Sequence, residues 1–310
     1  MKLKFYNTPE AKLFDASIIA EVPNFVSYKP DFALLQKLAG EFSKYENLII
    51  IGHGGSITSF AAMYQALQSQ SKKNVFFIST VDPNYIAQIK QQTSATNTLV
   101  VAISKSGETV TQLEALMQFI YYPLLFLTGA AGPLAEIAHR MNGKVVVHPS
   151  IGGRFTGFTE VALLPAALCG LDVEKIYQGG QELLQQFSED NEAYQAASVL
   201  YQLEQQGIVD VFMPIYSHQL IHFGNLIVQL CHESFGKDGK GQTYFAHEAP
   251  ESQHHTNQRF FGGQKNIAGW FMGVEKLDSN LETKVPENLD DIPLRDRTLE
   301  TLDKISLQSS

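Results

Sequence analysis

Several short stretches of this sequence concentrate the residue types that chemistry needs. Ser104, Lys105, Ser106, Gly107 and Thr109 put three hydroxyls, one ammonium and a flexible backbone into the stretch VAISKSGETVTQ, residues 101–112. Where such a segment opens a helix, unpaired backbone N–H groups add to it, and the combination suits an anion, phosphate above all. An ordinary turn with Ser and Thr caps accounts for the same residues about as well. Upstream, Gly52, His53, Gly54, Gly55 and Ser56 offer a second turn that backbone can bring close to a ligand. It is no dinucleotide fingerprint, because Ile57 stands where the third glycine of G-x-G-x-x-G belongs. Arg154 follows Gly152 and Gly153, and Glu233 opens the run ESFGKDGKG. Taken alone, Arg154 also reads as a surface ion-pair partner and Glu233 as a solvated helix-end carboxylate. His247, Glu248, Glu251, His254 and His255 crowd together, but HEAPE is not HExxH, so no metal is expected.

The elements that must position these residues are legible as apolar runs. Residues 99–103 are apolar without interruption, as a strand buried on both faces of a parallel sheet requires, and Val110, Leu113, Leu116, Met117 and Ile120 then recur at helical spacing. Residues 1–46 read as a lead-in with a helix whose face is Phe32, Leu34, Leu35, Leu38 and Phe42, a packing element only. Strands are predicted at 47–51, 75–79, 99–103, 124–127 and 145–147, with helices between them. That alternation implies a doubly wound parallel sheet with ligands at the strand C-termini, where both polar turns fall. An apolar helix follows over 161–169, residues 181–206 read as two helices, and a second strand-helix series begins near 208–216. Residues 276–310 turn acidic and polar, so the second sheet looks short of strands.

Composition narrows the function. At 310 residues, 44% hydrophobic and 18% charged, the chain is an ordinary globular protein of one large or two modest domains. The net charge of -9 argues against a general nucleic-acid or anionic-membrane surface, so a phosphate must be held locally, on a small ligand. Two cysteines, Cys169 and Cys231, make no disulfide framework, and a reducing cytoplasm is the default. The start MKLKFYNTPEAKLFD lacks the marks of a signal peptide, and no apolar run approaches the length of about 20 residues that spans a bilayer.

With these residues in hand, the chain resembles the glucose-6-phosphate isomerase family from about residue 47 onward. IGHGGS (51–56) is similar to the family's IGIGGS, VDP (81–83) to its VDP, SKSGETVT (104–111) to its SKSGTT or SKTFTT loop, GGRFTGFTEVALLPAALCGLD (152–172) to its GGRFS segment, and ESFGKDGKG (233–241) to its ESxGK segment. The resemblance implies an α/β fold of two doubly wound, flavodoxin-like sugar isomerase (SIS) domains, the second incomplete. Its boundaries would be a lead-in at 1–46, a first domain at 47–175 and a second at 176–310. By that resemblance Gly55, Ser56, Ser104, Lys105, Ser106 and Thr109 bind the substrate phosphate. Glu233 is the catalytic glutamate, Arg154 stabilises the enediolate, and His254 opens the sugar ring, with His255 as the neighbouring alternative. The family's histidine comes from the partner subunit, so a homodimer with shared sites is implied.

The activity so implied is cytoplasmic interconversion of glucose 6-phosphate and fructose 6-phosphate, without cofactor. Alternatives are a dual phosphoglucose/phosphomannose isomerase and a non-catalytic sugar-phosphate sensor. Two substitutions set the chain apart: His53 replaces an aliphatic residue, and Glu108 replaces a hydroxyl residue beside the phosphate loop. The family also continues through a QxGVExxK helix whose lysine assists catalysis, a motif not found before Ser310. The expectation is therefore a fragment, a complementing chain, or lost activity, with a sheet edge left uncovered. The two turns at 52–56 and 104–109 are expected to flank one phosphate, and Glu233 and His254 to lie apart within one protomer.

Overall fold

Uninterrupted apolar runs form the centre of the first sheet. A computed structural model describes residues 3–12, 23–185, 191–276, 279, 281–289, 291 and 297–298 of the chain, which divides into two compact units, Met1–Gln202 and Leu203–Ser310. In the first unit β1 (Asn47–Ile51), β2 (Asn74–Ile78), β3 (Thr98–Ser104), β4 (Leu124–Thr128) and β5 (Lys144–Val147) make one five-stranded sheet in the order β2-β1-β3-β4-β5. Every pairing in it is parallel. All residues of β1 and β3 are buried, because helices cover both faces.

The two faces follow from the side-chain alternation of a strand. Leu48, Ile50, Leu99, Val101 and Ile103 face one way and pack with residues of α1 (Phe32–Glu41), α2 (Thr58–Ala66) and α6 (Glu160–Leu168). Ile49, Ile51, Val100 and Ala102 face the other way, toward α3 (Pro83–Gln92), α4 (Val110–Met117) and α5 (Pro133–Arg140). Helices on both sides make the sheet doubly wound. Their starts follow local chemistry: Asp31 accepts from Leu34 N at 2.9 Å to cap α1, Asp82 accepts from Asn84 N at 2.9 Å ahead of Pro83, and Thr159 accepts from Val161 N at 3.2 Å to cap α6. The polar stretch beyond α6 is helical, in α7 (Val173–Gln185) and α8 (Glu192–Gln205), with 186–190 outside the described residues.

The second unit repeats the motif on a smaller scale. β6 (Asp210–Ile215), α9 (Ile221–Phe235), β7 (Thr243–Glu248), α10 (Gln253–Gly262) and β8 (Ile267–Gly269) form a parallel sheet in the order β7-β6-β8. Relabelled by position within each unit, both sheets share the order second-first-third. Among the described residues this second parallel sheet has three strands, and β9 (Glu282–Thr283) pairs separately and antiparallel with β10 (Arg297–Thr298). Most of the acidic stretch beyond residue 289 lies outside the described residues.

Each unit contains one unpaired cysteine. Cys169 ends α6 in full burial, which pushes its thiol up to about 12, and burial pushes that of Cys231 on α9 up to about 11. No helix among the described residues is long and apolar enough to cross a membrane.

Candidate active site

A sheet ordered second-first-third changes direction beside its first strand, and the crevice at the C-terminal ends of β1 and β3 is where open α/β sheets receive ligands. β1 and β3 are neighbours, with Ile51 opposite Ala102, so the turns that leave them are adjacent. The first turn runs through Gly54–Ser56 as one short 3-10 turn into α2. The second leaves β3 at Ser104 and enters α4 at Val110. A hydrogen bond of 3.0 Å between His53 Nε2 and Thr111 Oγ1 joins them.

A third segment closes on the first two. The glycine run at 152–153 passes so near the 52–56 turn that a Cβ on Gly55 would stand 2.1 Å from the carbonyl carbon of Gly153. No side chain fits there. Thr156 clasps the same contact, donating from Oγ1 to Gly153 O at 2.6 Å and, more loosely, to Gly55 O at 3.2 Å. Lys105 Nζ donates to Ile151 O at 3.2 Å, using one of its three donors. Three turns, 52–56, 104–109 and 151–158, thus meet through one backbone-to-backbone contact, two side-chain-to-backbone bonds and one side-chain bridge.

Within the 104–109 turn the hydroxyls first organise the loop itself. Ser104 is buried and its Oγ accepts from Gly107 N at 3.1 Å, while Ser106 Oγ accepts from Glu108 N at 3.3 Å. Gly107 takes a positive φ of 69°, which a side chain would strain. Lys105, Ser106, Glu108 and Thr109 are exposed. Thr109 precedes α4 without a side-chain cap bond, so its hydroxyl is not spent on the helix start. Burial lowers the pKa of His53 and so favours its neutral form. The half-buried Arg154 rests its guanidinium against the Phe155 ring, Cζ 4.3 Å from the centroid.

In the second unit the candidate residues sit differently. Glu233 is exposed near the C-terminal end of α9 and its Oε1 accepts from Gln229 Nε2 at 2.7 Å, one turn earlier. His254 and His255 are exposed at the start of α10. Because α9 precedes β7 and α10 follows it, Glu233 lies at the N-terminal edge of this sheet and His254 at its C-terminal edge. The six residues of β7 separate those edges by about 20 Å. Around His254, Tyr216 donates to Gln253 Oε1 at 2.6 Å, His218 Nδ1 lies 2.9 Å from Glu248 Oε1, and His255 Nε2 lies 3.6 Å from Glu251 Oε2. Among the described residues no three of His, Cys, Asp and Glu converge to hold a metal ion.

Placement therefore brings Gly55, Ser56, Ser104, Lys105, Ser106, Thr109 and Arg154 into one neighbourhood of the first unit and leaves Glu233 and His254 at opposite edges of the second sheet. Thr156 and Thr111 were missed as contributors. Thr156 sits two residues beyond Arg154 in the short 3-10 segment Gly153–Phe158. Nothing in the sequence ties Thr111 to His53, 58 residues away.

Comparison with known proteins gives this arrangement its context. A glucose-6-phosphate isomerase of Methanocaldococcus jannaschii is 30% identical over 257 residues, 77% of this chain and 63% of the relative. That of Streptococcus mutans is 29% identical over 298 residues, 85% of this chain and 65% of the relative. A probable glucose-6-phosphate isomerase of Haloarcula marismortui is 29% identical, with 79% of this chain and 59% of the relative covered. The chain thus spans somewhat under two thirds of the length of these curated relatives. Among solved structures, a hypothetical protein from Thermus thermophilus superposes with a TM-score of 0.82 at 26% identity, covering 92% of this chain and 74% of that one. A glucose-6-phosphate isomerase from Chlamydia trachomatis shares the fold with a TM-score of 0.75 at 22% identity, over 89% of this chain and 57% of that one. The family model described as phosphoglucose isomerase matches residues 37–277, and the chain belongs to that family.

Proposed function

We propose that this chain interconverts glucose 6-phosphate and fructose 6-phosphate by proton transfer through a cis-enediol. The observation that carries the reading is the meeting of the 52–56, 104–109 and 151–158 turns at the switch point of the first sheet, in a chain of this family. Backbone N–H groups at the starts of α2 and α4, with the hydroxyls of Ser56, Ser104, Ser106 and Thr109 and the ammonium of Lys105, hold the phosphate. Anchoring that remote end fixes C1 and C2 of the open chain against the base. Glu233 takes the proton from C2 of glucose 6-phosphate and returns it to C1, or the reverse from fructose 6-phosphate. The negative oxygen that develops needs a fixed cation, and Arg154, aligned on Phe155, supplies it without reorganisation.

His254 gives a proton to the ring oxygen as its bond to the anomeric carbon breaks, the anomeric hydroxyl losing its own proton to water as it becomes the carbonyl, and so the cyclic sugar opens. Its separation from Glu233 along β7 favours a homodimer in which one subunit's histidine serves the other's glutamate. A cytoplasmic location follows from substrate and composition. To test the reaction, the chain is incubated with fructose 6-phosphate in D2O and the product read by NMR. Deuterium at C2 of glucose 6-phosphate is the expected result. Absence of turnover together with absence of calorimetric binding of either sugar phosphate would reject the reading.

A further inference from the structure

The segment ahead of α1 is more than packing. Asn24 Nδ2 donates to Ser150 O at 3.3 Å, just ahead of the glycine run that leads to Arg154. Phe25 stacks on Phe155, the ring that bears the Arg154 guanidinium, with centroids 4.6 Å apart and planes 11° from parallel. Tyr28 donates its hydroxyl to Glu160 Oε2 at 2.5 Å, and Asp31 N donates to Glu160 Oε1 at 2.8 Å. Tyr177 on α7 in turn donates to Tyr28 O at 2.8 Å.

Glu160 explains why this segment is held firmly. It is 5% exposed, a carboxylate in the first turn of α6, and such a group is stable in burial only when its oxygens are bonded. Both of its oxygens are bonded by the segment ahead of α1. Six residues upstream, Arg154 sits between that anchor and the Gly55–Gly153 backbone contact. Phe25 belongs to neither hydrophobic core cluster, so its stacking serves the turn and not the core.

We propose that residues 24–31 form a strap that sets the orientation of Arg154, with Phe25 as a positioning residue acting through the Phe155 ring. The inference rests on the role given to Arg154 above. Phe25 touches no reacting atom; it fixes the plane on which the guanidinium lies, and so the direction in which the cation faces the developing oxyanion.

Phe25→Leu is the test, since it keeps an apolar side chain and removes the stack, with Phe25→Tyr as the conservative rescue. Two readouts are taken on the whole chain. The first is the side-chain Nε–Hε NMR signal of Arg154, identified by its loss in Arg154→Lys, whose position reports the ring current of Phe155. The second is steady-state kinetics with fructose 6-phosphate. Phe25→Leu is expected to move the Arg154 signal and to lower kcat about tenfold. KM should change less than about twofold, because the phosphate turns are untouched. Phe25→Tyr should restore both the signal and kcat. An Arg154 signal unmoved in Phe25→Leu, an unchanged kcat, or no rescue by tyrosine overturns the strap. Should the unaltered chain neither turn over nor bind sugar phosphates, the proposed reaction fails and the strap is judged on the Arg154 signal and its tyrosine rescue alone.

Discussion

The two units build on the same strand order yet hold their candidate residues by opposite means. In the first, the turns at the switch point are fixed by backbone against backbone, with Gly55 and Gly153 too close for any side chain and Thr156 bonded across the contact. In the second, Glu233 and His254 are exposed side chains on helix termini, and the bond from Gln229 to Glu233 spans a single helical turn. The contrast fits two kinds of work. Recognition of a phosphate uses N–H groups that must already point at it, so rigidity is the requirement. Proton transfer needs one carboxylate within hydrogen-bond reach of a substrate held by other groups. Such a group can sit in solvent until a substrate covers it.

The largest effect that would sharpen this contrast is expected at Glu233. Glu233→Gln should lower turnover about 10³-fold by removing the proposed base. Unfolding free energy, by urea titration, should stay within about 0.5 kcal/mol, as for an exposed side chain. Mixed with His254→Ala after verified subunit exchange, it should regain part of the activity. Absence of regain, with exchange established, argues for a site complete within one subunit. Gly55→Ala should behave in the opposite way. With a methyl group forced against the Gly153 backbone, it is expected to cost about 3 kcal/mol of stability and to abolish hexose-phosphate binding in calorimetry. A stable Gly55→Ala chain with intact affinity would break the contrast outright.

His53→Ile tests the bridge between the 52–56 turn and the helix that follows the 104–109 turn, the two turns proposed to hold phosphate. Loss of one hydrogen bond should cost about 1 kcal/mol and loosen phosphate affinity by several fold, leaving kcat at saturation near its original value. The smallest effect is a pH dependence. Burial lowers the pKa values of His53 and His148 in the first unit and of His222 in the second. Below the ordinary histidine value of about 6.5 the unfolded chain therefore binds more protons than the folded one. Stability should be full above that pH and decline as pH falls through it toward the lowered folded values. The urea midpoint measured at neutral pH and again at mildly acidic pH checks the sign, and His53→Ile should flatten part of the decline.

Much of this was legible because burial on both faces leaves a plain mark. Residues 48–51, behind Asn47, and 99–103 carry no polar residue, and the strands form there, β1 taking in Asn47 and β3 extending the second run by one residue at each end. The apolar stretch at 161–169 likewise becomes α6, beginning one residue earlier at Glu160. That early start matters, because a glutamate is seldom buried and Glu160 is a buried anchor. Its partners, Tyr28 and the Asp31 amide, lie about 130 residues upstream, by separations of 132 and 129, and no local periodicity connects them. For the same reason the lead-in read as packing alone. Adjacency of the two polar turns followed from strand alternation only in outline, since sheet order is set by how crossovers wind and not by any one run. The acidic stretch toward Ser310 lies largely outside the described residues.

The distribution of thiols has a practical consequence. Cys169 belongs to the first unit and Cys231 to the second, and burial suppresses the thiolate in both. Since only the thiolate attacks an alkylating reagent, the buried Cys169 and the partly buried Cys231 each react more slowly while their own surroundings remain closed and faster when they open. Pulsed alkylation, followed by digestion and mass spectrometry, therefore times the opening of each half separately within one unlabelled chain. If the five-stranded half outlasts the three-stranded one, Cys231 will acquire label at denaturant concentrations where Cys169 has none.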